Sequence, residues 1–485
     1  MNMLPPAIAL FSALLKERGH EVDLFDATYY QTDHGVDSDG TKADRLNVVP
    51  FSQDEKGIKM RETDWRSDIQ AKIQSFEPNL IALSTTEDMW LLGVRILEEI
   101  EEYINRHKIP VIAGGVFPTF APELVINHRL IDMVCIGEGE NSMIDLCQHI
   151  EKGEEYGNVT NLWIKQKDGS ISKNPISNPF DINETPIIDI GLFEEQRLYR
   201  PMAGKWYKMM PVETIRGCPY KCNFCDIPHK NYNFRTAANV ADEIEEILSL
   251  GINEINIMDD TFNLRRQRIV DICNEIIDRK LKFQWVGRGR VYPFDEELAM
   301  LLKKSGCYRF HIGIESGSKE ILDDIGKKIS LKQIRNFFKF CRTAKIDVLA
   351  YFILGFPDET EEQIRESIDF SKEIGCKYAY FSILSLFPGT PVYELGKTRN
   401  VVQGDPWLEF AKNPVKDFKI PFWTETISRD RLFEVLREAY TQFYFSPKYL
   451  GQRVIEVLRS PKHTGGMVKA GMAMAKYVVS NKKGF

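Results

Sequence analysis

The chain has 485 residues, too many for one ordinary domain, and its length suggests about two to four of them. Hydrophobic residues make up 43% and charged residues 27%, with a formal net charge of −7; this balance fits a soluble globular protein and argues against a general nucleic-acid binder, so no nucleic acid is expected as a partner. No run of about 18 apolar residues occurs, so no transmembrane segment is expected. The opening Met1-Asn2-Met3-Leu4-Pro5-Pro6 lacks the basic and apolar regions of a secretory leader, so a cytoplasmic location is expected.

Residues 1–151 read as alternating helices and strands. An amphipathic helix over Ile8–Arg18 stops at Gly19, and His20–Phe25 alternates like a short strand. Residues 31–65 are polar and read as a long loop. A helix over Ser67–Phe76, a buried strand over Leu80–Ser84 and a helix from about Met89 to Arg106 follow. Val111–Ala113 is a strand ending in Gly114-Gly115; Met133–Ile136 is another, ending in Gly137-Glu138-Gly139-Glu140, with a helix over Ser142–Glu151 beyond it. This α/β alternation predicts a doubly wound, Rossmann-like sheet.

Residues 152–205 differ. Asn161–Lys165 and Ser170–Lys173 flank Asp168-Gly169, a hairpin signal, and Pro175, Pro179 and Pro186 mark an extended connector. In residues 206–399 the alternation resumes, with strands at Val212–Ile215, Glu254–Met258, Phe283–Gly287, Arg309–Ile314, Asp347–Leu354 and Tyr378–Leu384, and helices such as Val240–Leu250 and Leu331–Ala344 between them. Six β/α units predict a partial (β/α)6 barrel. Residues 400–485 form a helical C-terminal region, aromatic and basic over Trp407–Trp423, with Met, Ala and Lys at helical spacing over Met467–Val479. That stripe reads as a helix packed on its own domain, with a membrane-surface helix or a cover over the barrel mouth as alternatives.

Nine cysteines are present. Cys135, Cys147, Cys273, Cys307, Cys341 and Cys376 stand singly in apolar or helical stretches and read as small buried hydrophobes. Cys218, Cys222 and Cys225 crowd into one CxxxCxxC segment, Glu213-Thr214-Ile215-Arg216-Gly217-Cys218-Pro219-Tyr220-Lys221-Cys222-Asn223-Phe224-Cys225, at the end of the first barrel strand. Active sites form on such loops, and thiolates are the ligands that iron–sulfur clusters select. Three thiolates leave one iron of a [4Fe-4S] cube open. Structural zinc, with His229 as a fourth ligand, is the alternative for the same cysteines.

The segment resembles the radical S-adenosylmethionine (SAM) enzymes. In that family SAM chelates the open iron and one electron cleaves it to a 5′-deoxyadenosyl radical. The resemblance implies an adenine contact at Phe224 and a contact to the SAM amino group at Asp259 or Asp260. It also implies roles for Arg288 and Arg290 at the third strand end, ribose and carboxylate contacts at Glu315 and Ser316 within Gly313-Ile314-Glu315-Ser316-Gly317, and adenine packing at Ile353. It further implies an external one-electron reductant such as flavodoxin or ferredoxin.

The order of parts resembles the cobalamin-binding branch of that family, over about residues 1–400, and implies a corrin contact at Gly114, Gly115, Thr119, Gly137 and Glu138. Two features depart from the branch. Only four residues precede Pro5, too few for the strand that normally comes before this helix. The Asp-x-His-x-x-Gly motif that supplies a lower histidine ligand to cobalt is missing; Asp33-His34-Gly35 lacks the spacing, and His20 and His128 read as surface or structural histidines. The resemblance therefore implies cobalamin held without a protein histidine, or a domain that keeps the fold without corrin. The leading expectation is a cobalamin-dependent methyltransferase acting on a small-molecule substrate, with a porphyrin-type oxidative cyclase or a rearranging enzyme as the alternative. tRNA methylthiolation would need a second cysteine set, which Cys135 and Cys147 cannot make, and the row of polar strand ends argues against a mere metal or cobalamin sensor.

Overall fold

The computed structural model describes residues 4–33, 42, 45, 58–202, 205–225 and 232–459; His34, His229 and Met467–Val479 lie outside them. The chain forms two compact units, one of Met1–Ala43, Pro50–Arg197 and Val402–Lys419, the other of Asp44–Val49, Leu198–Val401 and Ile420–Phe485.

The first unit is built on a five-stranded sheet. Strands β1 (Ile81–Ser84), β2 (Val111–Gly114) and β3 (Met133–Cys135) are parallel. The hairpin read at Asp168-Gly169 forms β4 (Leu162–Lys165) and β5 (Ile171–Lys173), and it extends this same sheet antiparallel to β3. Helices cover both faces. Ile112 packs with Leu15 of the helix Pro6–Lys16 and Leu146 of the helix Glu140–Lys152. Leu83, one pleat position off, faces Gly93 of the helix Trp90–Glu99, where an added Cβ would come within 2.8 Å of it. This is the doubly wound layering expected.

Three expectations change. His20–Phe25 forms no strand. A strand exists only where a neighbour takes its N–H and C=O groups, and no described strand precedes this segment to do so. Leu80–Ser84 is not a buried strand: β1 is the sheet edge, and its residues alternate between half-buried and exposed. The helix expected over Met89–Arg106 is two helices, Trp90–Glu99 and Glu101–His107, broken at Ile100 where the backbone leaves the helical region (φ −110°, ψ 11°).

The second unit carries a curled, seven-stranded half-barrel. Its order is β14-β13-β12-β11-β10-β7-β6, from β6 (Tyr199–Met202), β7 (Lys205–Val212), β10 (Glu254–Ile257), β11 (Gln284–Gly289), β12 (Cys307–Glu315), β13 (Asp347–Leu354) and β14 (Tyr378–Ile383). All neighbours are parallel except β6, which pairs antiparallel with β7. The six parallel strands are those read from the sequence, with one shift. The first ends at Val212, and Ile215-Arg216 forms a separate two-stranded ribbon, β8, with Asn233-Phe234, β9. The cause is Asp259: its carboxylate accepts from the amides of Thr214 (2.6 Å) and Ile215 (3.1 Å), so these amides leave the ladder.

The outer helices begin at sequence-coded caps. Thr236 caps Ala237–Ser249, and Ser330 with Gln333 and Thr360 with Gln363 form capping boxes on Leu331–Thr343 and Glu361–Ile374. Along β13 and β14 every second side chain is buried under these helices while the alternate set stays half-exposed on the concave face. No described helix is long and apolar enough to cross a membrane.

Candidate active site

The cysteine loop hangs between β8 and β9, and three neighbours fix its path. Asp259, fully buried, holds its root; besides the two amides it accepts from the Thr214 hydroxyl at 2.5 Å. Arg268, also buried, lies 3.9 Å from that carboxylate and donates to the Thr214 carbonyl at 2.5 Å. Burial raises the Asp259 carboxyl to about 6, against the lowering effect of Arg268 and the Thr214 hydroxyl. Asp259 is thus a clamp on the loop. Its exposed neighbour Asp260 accepts from the Gly217 amide at 3.1 Å, at a backbone position with φ 91° that glycine adopts without strain. Further along, the Asn223 amide donates to the Ile325 carbonyl (3.1 Å), and the Asn223 carbonyl accepts from Val392 (3.0 Å) at the first turn of the helix Pro391–Thr398.

Cys218 and Cys222 are buried and Cys225 half-buried; all three are free thiols. Cys218 Sγ lies 3.4 Å from the Thr261 hydroxyl, and Arg290 points a guanidinium nitrogen at Cys222 Sγ from 3.9 Å. Among the described residues no three His, Cys, Asp or Glu side chains converge tightly enough to hold a single metal ion. A cube asks for something wider, since each thiolate binds a different iron. The other cysteines are inert: burial pushes the thiols of Cys135 and Cys273 up to about 12 and that of Cys147 to about 11.

The strand-end residues form one network around this loop. Arg290 stacks on Tyr220 (3.7 Å from the ring centroid), and its guanidinium donates to the Lys327 carbonyl. The Lys327 ammonium in turn donates to Glu315 at 2.5 Å, both side chains being about 8% exposed. Glu315 closes β12 in a left-handed conformation, φ 70°, after a register shift against β13. Ser316 turns away from the concave face: its hydroxyl meets Ser367 (3.0 Å) and accepts from the Ser318 amide (3.1 Å). Phe224 packs edge-on against Phe356 at 5.6 Å, Ile353 stays half-buried on the concave side, and the half-buried Arg288 places Nη2 2.9 Å from Met258 Sδ.

Several supporting residues carried no motif. Asn263, fully buried, donates to the carbonyls of Arg290 (2.6 Å) and Pro293 (3.1 Å) and accepts from the Arg290 amide (2.8 Å). Glu359, equally buried, accepts from the amides of Gly355 (2.7 Å) and Phe356 (3.0 Å). Only the place of Asn263, just after Asp259-Asp260-Thr261-Phe262, could have signalled it.

In the first unit the glycine-marked strand ends come together. Gly115, φ 108°, begins the short helix Val116–Phe120; a Cβ there would stand 2.6 Å from the Thr85 carbonyl at the end of β1. The Gly137 amide donates to the Thr119 hydroxyl at 3.1 Å. Glu138 turns to the connector, accepting from the Phe180 amide at 2.7 Å, while its carbonyl accepts from the Asn161 side chain at 2.7 Å. Gly115 and Val116 are exposed beside Gly114, leaving an apolar shoulder at the carboxyl ends of the strands, where doubly wound sheets bind ligands. A flat corrin fits such a shoulder. His128 is buried against Trp90 (5.5 Å), and burial lowers its imidazole to about 4; it is a structural histidine.

Comparison with known proteins identifies a family for each of two regions of the chain. Residues 212–371 match the family model of the radical SAM superfamily, and residues 51–146 that of the B12 binding domain. The chain is 32% identical over 410 residues to a Pyrococcus horikoshii protein described as an uncharacterized methyltransferase, covering 83% of this chain and 85% of that one. It is 24% identical over 415 residues to an anaerobic magnesium-protoporphyrin IX monomethyl ester cyclase of Rubrivivax gelatinosus, covering 83% and 72%. Among solved structures, the radical SAM methyltransferase TsrM of Kitasatospora setae superposes with a TM-score of 0.64 at 21% identity, over 83% of this chain and 74% of that one. The cobalamin-dependent radical enzyme OxsB superposes with a TM-score of 0.65 at 18% identity, over 85% and 65%. With a thiol-bearing loop on a half-barrel, a doubly wound unit beside it in sequence and a full-length relative at this identity, the chain belongs to the radical SAM superfamily, in its cobalamin-dependent branch, whose cofactors are a [4Fe-4S] cluster, SAM and cobalamin.

Proposed function

We propose that the protein is a cobalamin-dependent radical SAM methyltransferase of a small metabolite. The observation that carries this is the match to the P. horikoshii protein described as an uncharacterized methyltransferase, over 83% of this chain and 85% of that one. A second observation favours the same reading: the chain has no Asp-x-His-x-x-Gly motif, and His128 is locked in the core. Cobalamin held here without such a histidine would be suited to supplying a methyl group.

In this reading Cys218, Cys222 and Cys225 hold the cluster. The Arg290 guanidinium lies 3.9 Å from Cys222 Sγ, and the Thr261 hydroxyl 3.4 Å from Cys218 Sγ, so both would face the cluster sulfurs. When bound, the cofactors supply one-electron cleavage of the SAM sulfonium and a carried methyl group. The chain supplies placement. Asp260, exposed at the β10 end, suits the SAM ammonium, and Arg290, beside the cysteine loop, suits its carboxylate. Asp259, Asn263 and Ser316 hold the loops that carry these groups. Gly114, Gly115, Thr119, Gly137 and Glu138 shape the corrin shoulder, the last two through the loop contacts they make.

The test uses SAM labelled in its methyl group, under anaerobic reducing conditions. Label in the product supports methyl transfer; an unlabelled, oxidised product moves the assignment to an oxidative cyclase like the R. gelatinosus relative. Cys222→Ala tests the cluster assignment in the same assay: 5′-deoxyadenosine formation falls to background, and survival of SAM cleavage overturns it.

A further inference from the structure

Below the strand ends, the concave face of the half-barrel is strongly cationic. Arg309 and His311 of β12 and Arg288 of β11 share that face: Arg288 pairs in register with His311, and Arg309 with Val286. Arg200 of β6 pairs with Tyr207, whose ring stacks on Tyr308 at 5.9 Å, and its guanidinium interacts electrostatically with Arg288, Tyr308 and Arg309. Arg309 is 3% and His311 7% exposed. Buried atoms on these residues lack hydrogen-bond partners: Arg309 Nε and Nη1, Arg200 Nη1 and His311 Nε2. Of the carboxylates near this charge, Asp347 lies in register with Arg309, and Glu254 acts on the same two tyrosines, Tyr207 and Tyr308, as Arg309 does. Asp347 is paired with Lys377 at 2.8 Å, Glu315 with Lys327, and Glu254 stands among the tyrosines. Burial, and then the charge of the neighbouring arginines, hold Arg200 and His311 below their ordinary values. Buried guanidinium groups are costly unless an anion meets them.

We propose that this lower part of the concavity is the seat for an oxyanion carried by the substrate, a carboxylate or a phosphate, gripped by Arg200, Arg288 and Arg309 with His311 beside them. Arginine presents the planar fork that both groups accept. SAM does not fill the seat. Arg290, at the level of the cysteine loop, lies four residues beyond the partner of Arg309, so Arg309 sits roughly 13 Å deeper along the strands. The substrate is therefore elongated, with its reacting carbon near the cysteine loop and its anionic end roughly 7–13 Å below. The His311 Nδ1–Tyr351 hydroxyl contact (3.1 Å) keeps Nε2 directed at the seat.

This deepens the radical SAM reading by naming a substrate class, yet its test does not use SAM cleavage. Inorganic phosphate and malonate are titrated by calorimetry into the full chain loaded with cluster and cobalamin, at low salt, with chloride at matched ionic strength as control. The expected result is saturable binding that Arg309→Gln and Arg200→Gln each weaken at least tenfold, with the exposed Arg106→Gln as wild type; the tighter probe tells phosphate from carboxylate. Without added anion, Arg309→Gln should melt at or above the wild-type temperature, because it removes a buried charge whose Nε and Nη1 have no hydrogen-bond partner. Equal binding by wild type and both variants, no binding by wild type, or a clear loss of thermal stability in Arg309→Gln would overturn the seat. Methyl-labelling and Cys222→Ala results are untouched by any of these outcomes.

Discussion

At the scale of single residues, carboxylates buried beside backbone amides shape this protein more than surface ion pairs do. Glu359 is the clearest case. It is fully buried, both recorded donors reach one oxygen, and burial raises its carboxyl to about 7. Between pH 4.5 and 7 the unfolded chain releases this proton while the folded chain keeps it. Stability from this group therefore falls as pH rises through that window. Glu359→Gln, which keeps the acceptor and stays neutral, should gain on wild type as pH rises from 5 to 8, by up to about 3 kcal/mol. Urea melts of both proteins across that range check it; a constant difference would show that the carboxyl is already ionised at pH 5.

At the scale of elements, short segments close gaps the sheets leave open. The edge strand β14 is covered by the helix Arg429–Tyr444: the Tyr440 hydroxyl donates to the Phe381 carbonyl (2.8 Å), and the Tyr444 hydroxyl to that of Ala379 (2.8 Å). Such capping blunts an edge that would otherwise pair with another chain. In the first unit the helix Pro406–Lys412 has a similar task. Trp407 is fully buried against Phe117 (5.9 Å), and Trp90 donates to the Ala411 carbonyl (3.1 Å). Trp407→Ala should cost about 3–5 kcal/mol. The measurement is the urea midpoint of the first unit, followed by near-ultraviolet dichroism; an unchanged midpoint would mean that this helix is dispensable.

At the scale of the whole molecule, the chain leaves the first unit at Arg197, builds most of the second, and returns to the first over Val402–Lys419 before ending in the second. Neither unit is contiguous, so a cut between them by sequence cuts through both. A chain ending at residue 401 loses the Trp407 plug of one unit and the tyrosine caps of the other. It should accumulate as insoluble protein, whereas the full chain stays in the supernatant after lysis and centrifugation. Soluble, monomeric truncated protein would refute this.

The sequence by itself determined what depends on local order. Three closely spaced cysteines on a strand-end loop, glycines after β2 and β3, and five of the six parallel strands all rest on spacing along the chain. These were legible without a structure. What only the tertiary structure decided depends on partners far apart in sequence. Whether His20–Phe25 is a strand turns on a neighbour to pair with; where the first barrel strand ends turns on Asp259, 45 residues beyond Thr214. Ser316 read as a ligand contact from its motif, yet Ser367, 51 residues later, meets its hydroxyl. The cationic seat has the same origin. Arg200, Arg309 and His311 form no motif, and only the parallel register of β11 and β12 and the antiparallel turn of β6 gather them with Arg288 on one face. Side-chain period and caps are local properties of the chain; pairing, burial and the meeting of charges are not, because they are fixed by the closure of the sheet.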